Sequence, residues 1–371
     1  MKALLFTPSV PRYLLSRSLG KRTPLWLVPL RLVEVPEPEP PEGWVRVRVR
    51  LAGVCGSDLA LLFGKSSPRL SPFFSFPAVL GHEIVGEVEG QRVVVNPLLS
   101  CRERGLPLCP RCAEGDEGLC LNVAEGRFSP GMLGYCRDLP GGWAEGIVVH
   151  PERVYPVPGG VPDERAVLAE PLAVVLRGLR LFSPEPDAPV LVIGAGTIGL
   201  LSLVALRVSG HRGPIHILAR HRVQARLARE LGVEEVHRDA GEAAEAVRAK
   251  GYRPAIGARV WRGGFPYVIE AAGSHSSFAQ ALSLVAEGGK ILLLGGTGSG
   301  RWDLSLLWFR GILVQGSYTY SAEDFRCAVE LLPRAEGMER VVTHVFPLEA
   351  WREALGVIRR REGIKVAFKP A

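Results

Sequence analysis

From Val45 to Leu51 the chain reads Val-Arg-Val-Arg-Val-Arg-Leu, apolar and basic residues in alternation. A period of two predicts a strand with one buried and one solvated face. Glu34 to Gly43, rich in Pro and Glu, predicts a connecting loop. Residues 64–77 hold Ser, Pro and Phe without periodicity and predict a longer loop, in which Phe73, Phe74 and Phe76 are either a pocket wall or core. Short strands and turns continue to about residue 157, so the first part of the chain is expected to be β-rich.

The pattern changes near Asp163, where apolar residues fall at helical spacing as far as Leu181. Pro184, Pro186 and Pro189 then break the chain. An alternation follows: strand Val190–Ile193, helix Ile198–Val208, strand Ile215–Leu218, helix Val223–Leu231, strand Tyr267–Glu270, helix Ser277–Ala286, strand Lys290–Leu294. This is the rhythm of a doubly wound parallel sheet. Gly311 to Tyr318 predicts a further strand, Leu348 to Arg361 an amphipathic helix, and Lys365 to Phe368 a last strand. The chain shows no internal repeat. Ala188 to Leu206 carries no charge over 19 residues, approaching membrane-spanning length. Its three spaced glycines favour a buried strand, a tight turn and a buried helix instead.

Composition narrows the class. The 371 residues suffice for two domains or three, and 47% apolar content supplies cores. A net charge of +7 raises the question of nucleic acid. The basic residues are spread along the chain with no Lys/Arg block and no basic stripe interleaved with aromatics, so nucleic acid is not an expected partner. Arginine outnumbers lysine, Asn occurs only at Asn96 and Asn122, and there are 30 prolines, a bias resembling thermophiles or GC-rich genomes. The N-terminus lacks the apolar region and cleavage site of a signal peptide, so a cytoplasmic location is expected.

Gly194-Ala-Gly196-Thr197-Ile198-Gly199 follows the apolar run Val190–Ile193 and opens a predicted helix. In that context the glycines read as a dinucleotide cradle. Gly194 makes the turn, Gly196 admits the pyrophosphate, Gly199 lets helix pack on strand, and the amides at Thr197 and Ile198 face the phosphates. The plainer alternative is a glycine-rich turn of an ordinary α/β protein. After the second strand come Ala219, Arg220, His221 and Arg222, where an NAD site would place an acid. Two guanidinium groups without an acid favour NADP(H) over NAD(H). Alternatively, the arginines only begin a solvated helix.

Two constellations point to metal. The first is Cys55, within Gly53-Val-Cys-Gly-Ser-Asp58, with His82 and Glu83 of a Gly-His-Glu, and Glu170 of Ala-Glu-Pro-Leu-Ala as a further donor. Thiolate, imidazole and carboxylate are zinc donors, and three protein ligands with an open position make a catalytic site. Each residue singly could just pack or be solvated. The second is Cys101, Cys109, Cys112 and Cys120, spaced C-x7-C-x2-C-x7-C. Four thiolates leave no open position and read as a structural zinc stapling a loop. A [2Fe–2S] site or paired disulfides are the alternatives. Cys136 and Cys327 fall outside this scheme and are expected to pack.

Taken together with Gly141-Gly-Trp-Ala-Glu145, these motifs resemble, in order and over nearly the whole chain, the zinc-dependent medium-chain dehydrogenase/reductase superfamily of alcohol, polyol and threonine dehydrogenases. The resemblance implies a GroES-like β-rich catalytic domain, residues 1–165 with the returning tail 316–371. A Rossmann domain, 166–315, is inserted between them, with the active site in the cleft. It implies hydride transfer between an alcohol carbon and a nicotinamide, with two Zn2+ per chain. Cys55, His82 and Glu83 are then zinc ligands of the catalytic site. Glu170 is similar to the residue that binds zinc directly or through water in the polyol and threonine branches. Ser57 receives the substrate proton, and Asp58 supports the zinc histidine. Glu at position 170, where the classical alcohol enzymes carry Cys, tilts the substrate toward a polyol, sugar or amino-alcohol. The partner is a small alcohol or carbonyl compound, with no membrane, and the assembly a homodimer or homotetramer paired through Gly311–Tyr320.

Three departures stand out. Ala60 replaces the family's relay histidine, the first cysteine gap is seven residues rather than two, and the loop after Gly86 is shortened. The first leaves a long proton relay missing or carried by water; the second leaves Cys101 the least certain ligand of its four. The rival readings are a zinc-free quinone or enone reductase on the same fold, which would not need Cys55 and His82, and a non-catalytic NADP-binding zinc protein.

Overall fold

The alternating run lies in a strand, Val45–Gly53, whose Val47 and Val49 are fully buried while Arg46 and Arg48 face solvent. The computed structural model describes residues 1–257, 259–296 and 302–370. They divide into two compact units, Met1–Ala173 with Thr319–Ala371, and Val174–Tyr318. The helix Ala169–Phe182 carries the seam beyond residue 165, because Glu170 interacts with His82 and Glu83 of the first unit.

In the first unit, Val45–Gly53 is the centre of a seven-stranded sheet. On one side it pairs antiparallel with Ile84–Val88, matching Ala52 to Ile84. On the other it pairs with the C-terminal strand Lys365–Lys369, matching Gly53 to Ala367. The register sets three distant segments side by side: Gly53–Cys55, His82–Glu83 and Lys365. A second sheet orders Leu30–Glu34, Lys2–Phe6 and Ala78–Val79.

Val10–Leu19 is a helix, and Pro11 is tolerated because it occupies the first turn, where no amide hydrogen is required. The loop 64–77 contains a 3-10 turn, Pro68–Phe73. Phe74 and Phe76 pack against the core and Phe73 is exposed.

The second unit is a parallel sheet of six strands: β1 (Val190–Ile193), β2 (Ile215–Leu218), β3 (Glu235–His237), β4 (Phe265–Glu270), β5 (Val285–Leu293) and β6 (Leu313–Gly316). Their spatial order is β3-β2-β1-β4-β5-β6, with every pairing parallel. This is the doubly wound dinucleotide-binding order, with its switch point between β1 and β4. All four β1 side chains are buried, as a strand covered on both faces requires. Among the described residues no helix is long and apolar enough to cross a membrane.

Candidate active site

Cys55 ends the turn after the central strand and is the N-cap of the helix Gly56–Leu62. Asp58, three residues on, returns its Oδ2 to the Cys55 amide at 2.9 Å, closing a capping box. The donor atoms of Cys55, His82 and Glu83 lie within 4.8 Å of one another. Gly53 makes this approach possible, since a Cβ there would sit 1.8 Å from Glu83 Oε2. Trp143, of the Gly141–Glu145 motif, ties the same turn by donating Nε1–H to Gly53 O at 3.0 Å.

His82 is buried, with Nδ1 facing Asp58 Oδ1 at 3.5 Å. Burial pulls its pKa down, but the negative fields of Asp58 and Cys55 more than offset this and hold it well above the ordinary value. The pocket therefore favours positive charge. Thiol, imidazole and carboxylate gathered in such a field fit a zinc ion. Tyr135, from a turn after the cysteine loop, packs its ring 5.1 Å from that of His82 and 5.2 Å from that of Phe74. Its hydroxyl lies 2.9 Å from Ser57 Oγ and 2.8 Å from Asp58 Oδ1. Burial, with Asp58 and Cys55 nearby, pushes its pKa well up, so it stays a neutral phenol. Ser57 itself is exposed.

Glu83 is not free to act as a ligand alone. Lys365 Nζ reaches both of its carboxylate oxygens, at 2.6 and 2.7 Å, and also donates to Val54 O at 3.2 Å. Glu170 is outside the 4.8 Å cluster but feels the charges of its His82 and Glu83. Burial pushes its carboxyl up to about 7; Glu83 adds to the rise, while His82, Tyr320 and Lys365 oppose it. A buried carboxyl held near neutrality gains its charge when a cation arrives.

The four cysteines 101, 109, 112 and 120 converge, their sulfurs within 4.8 Å of one another. Cys101 joins them despite its seven-residue gap: its sulfur is 3.6 Å from that of Cys120 and accepts from the Cys109 amide at 3.3 Å. All are free thiols. Tetrahedral zinc with Zn–S of about 2.3 Å places its sulfurs roughly 3.8 Å apart, close to the spacing here, whereas a two-iron cluster would hold its outer thiolates farther apart. Burial raises the pKa of Cys112, and that of Cys120 to about 11; amide and thiol donors draw Cys109 down to about 6 against its own burial. Arg104, 1% exposed, braces the loop through the carbonyls of Leu99, Glu125, Phe128, Ser129 and Gly131.

In the second unit the glycine loop leaves β1 at the switch point. Gly194 has φ +102°, and a Cβ at Gly199 would lie 1.8 Å from Gly194 O. Open space surrounds the position of a Cβ at Gly196, the N-cap of the helix Thr197–Val208. The first turn, with Thr197 and Ile198, thus presents amides to an approachable surface. The Gly194 amide bonds to Leu218 O at 3.2 Å, which sets Arg220 and Arg222, both exposed, on the segment that follows β2 beside this loop.

Two family models match the chain: the alcohol dehydrogenase GroES-like domain over residues 41–159, and the zinc-binding dehydrogenase over residues 197–334. The chain belongs to the zinc-type medium-chain dehydrogenase family. Among curated relatives, L-threonine 3-dehydrogenase of Anaeromyxobacter sp. (strain Fw109-5) is 28% identical over 93% of this chain and 95% of its own. Among solved structures, a putative zinc-binding dehydrogenase from Sinorhizobium meliloti 1021 bound to NADP is 27% identical, with TM-score 0.71, covering 92% of this chain and 95% of that one. The alcohol dehydrogenase RspB from E. coli CFT073, complexed with NADH, superposes with TM-score 0.76 at 23% identity, covering 100% of this chain and 99% of that one.

Sequence reasoning on this dehydrogenase missed Lys365 and Tyr135, which no local spacing connects to the site. It also missed His216, Glu235 and His237 on β2 and β3, whose donor atoms lie within 4.8 Å of one another. There His216 Nδ1 and His237 Nε2 are 3.0 Å apart, the rings 11° from parallel with centroids 5.3 Å apart. That centroid spacing matches two rings set end to end across one hydrogen bond. One ring donates its N–H and the other accepts, so the two histidines are hydrogen-bonded to each other, with the Glu235 carboxylate close by.

Proposed function

We propose that this member of the family moves hydride between a nicotinamide and a secondary alcohol that bears further polar groups, a polyol, sugar or amino-alcohol. The observation that carries the reading is the convergence of Cys55, His82 and Glu83, with the buried Glu170 carboxyl in the same field, beside an exposed hydroxyl, Ser57. When bound, zinc polarises the substrate oxygen and the nicotinamide exchanges hydride with the carbinol carbon. The chain's own residues do the rest. Cys55 and His82 hold the metal, and Asp58 orients His82. Glu170 is the third ligand we favour over Glu83, whose two oxygens Lys365 already engages. Ser57 Oγ accepts a hydrogen bond from the substrate hydroxyl. The four cysteines hold a second, structural zinc.

The threonine enzyme among the relatives supports an amino-alcohol or polyol class over simple alcohols. Arg220 and Arg222, with no acid on the segment between them, support NADP(H) over NAD(H). The edge strand β6, beside the exposed Trp308 and Phe309, supports an assembly of two or four copies.

The test is a panel of polyols, sugar alcohols and amino-alcohols with NADP+ and with NAD+, on protein of known metal content, beside Cys55→Ala. We expect turnover by the wild type, a higher kcat/KM with NADP+, and a variant that binds nucleotide but is at least about a thousandfold slower, as for loss of an essential catalytic group. Unchanged turnover in Cys55→Ala overturns the zinc site. A higher kcat/KM with NAD+ overturns the cofactor preference alone.

A further inference from the structure

The relay histidine of the family is replaced by Ala60, and Ser57 has a different neighbour here. Tyr135 is 3% exposed and Asp58 fully buried, whereas Ser57 is exposed. The three form a short file of oxygens running inward: Ser57 Oγ, Tyr135 Oη at 2.9 Å, and Asp58 Oδ1 at 2.8 Å from Tyr135.

The direction of each hydrogen bond follows from what each group can donate. Tyr135 has one hydroxyl hydrogen and two oxygens in reach. Asp58 is a carboxylate that only accepts; its Oδ2 already accepts the Cys55 amide, and its Oδ1 takes the phenol hydrogen in a charge-assisted bond. The remaining contact is satisfied only if Ser57 donates its hydrogen to the phenol oxygen. A serine hydroxyl so engaged points its hydrogen inward and its lone pairs outward.

We propose that Tyr135 is a positioning residue for Ser57: anchored by Asp58, its phenol accepts the Ser57 hydrogen and turns the Ser57 lone pairs toward the hydroxyl of the substrate. This rests on the function proposed above. The Tyr135 ring packs against His82, tilted by 46°, and edge-on against Phe74 at 67°, so the orientation is held before substrate arrives. The consequence is polarity. A hydroxyl group, which brings a hydrogen, meets an acceptor, while a carbonyl oxygen does not.

Tyr135→Phe keeps the ring and removes the oxygen. On the zinc- and nucleotide-loaded protein, kcat/KM for alcohol oxidation is expected to fall about tenfold, the size of one lost orienting hydrogen bond. Zinc content and nucleotide affinity stay at wild-type values. Ser57→Ala loses at least as much, and the double variant no more than Ser57→Ala alone, because Tyr135 acts through Ser57. Losses that multiply in the double variant, or a Tyr135→Phe protein equal to wild type, overturn the proposal. The same cycle is read without turnover, by calorimetric binding of the unreactive alcohol trifluoroethanol, with the same non-additivity expected. If the wild type oxidises no alcohol, the proposed function fails, while the binding cycle still decides Tyr135.

Discussion

Glu83 has no exposed surface and Lys365 has 2%, so their ion pair is fully withdrawn from water. Pairs of this kind contribute little over apolar replacements, yet removing one partner strands a buried charge at a cost of about 3–5 kcal/mol. Lys365→Met is therefore expected to lower unfolding stability by about that amount, and Glu83→Gln added to it should recover part of the loss. Urea unfolding measures both; a Lys365→Met protein within about 1 kcal/mol of wild type would mean that Glu83 is neutral or solvated, contrary to the geometry. The same pair marks the limit of motif reading. Cys55 and His82 were legible because each sits in a short motif that a tight turn demands. Lys365 lies 282 residues from its partner, and only the register of Ala367 against Gly53 brings them together. Tyr135 likewise had no signature, being 78 residues from Ser57.

At the scale of elements, apolar runs were the legible signal and short polar strands were not. β1 and β2 are uniformly buried and carried their own prediction. β3 is three residues, Glu-Val-His, with too little apolar content to show a period. Its one distinctive contribution is His237, hydrogen-bonded to His216 across the strand pair. Burial lowers the pKa of both, with the His237 ring adding to the effect at His216, while Glu234, Glu235, Asp239 and Glu242 pull partly the other way. A histidine whose folded pKa is depressed takes up protons on unfolding. Its stabilisation is complete above the unfolded value of about 6.5 and is lost as pH falls through that value toward the folded one. The second unit should thus melt at constant temperature above pH 7.5 or so and progressively lower toward pH 5. His216→Leu with His237→Leu should flatten this slope without abolishing it, because His211 is shifted in the same direction. A steeper slope in the double variant would show that the pair is charged when folded.

For the molecule as a whole, the two compact units carry separate candidate ligand sites. The tetracysteine set and the Cys55 site both belong to the first unit, and the glycine loop to the second. A ligand stabilises only what it binds, so zinc and nucleotide should act on different parts of the unfolding curve. Two units also make a single two-state transition an unsafe assumption. On the proposed two-zinc reading, Cys112→Ser should bind one zinc fewer than the wild type. It removes a staple closing a loop of about 20 residues, comparable to losing a disulfide worth roughly 3 kcal/mol. In a unit of this size that is a fall of about 6–12 °C in the first unit's transition. The second unit's transition, followed by saturating nucleotide, should stay where it was and should rise with nucleotide in wild type and variant alike. Calorimetry with and without NADP+ reads both. One cooperative transition that moves with either ligand would mean that the units unfold together, and the staple's effect would then reach the nucleotide site as well.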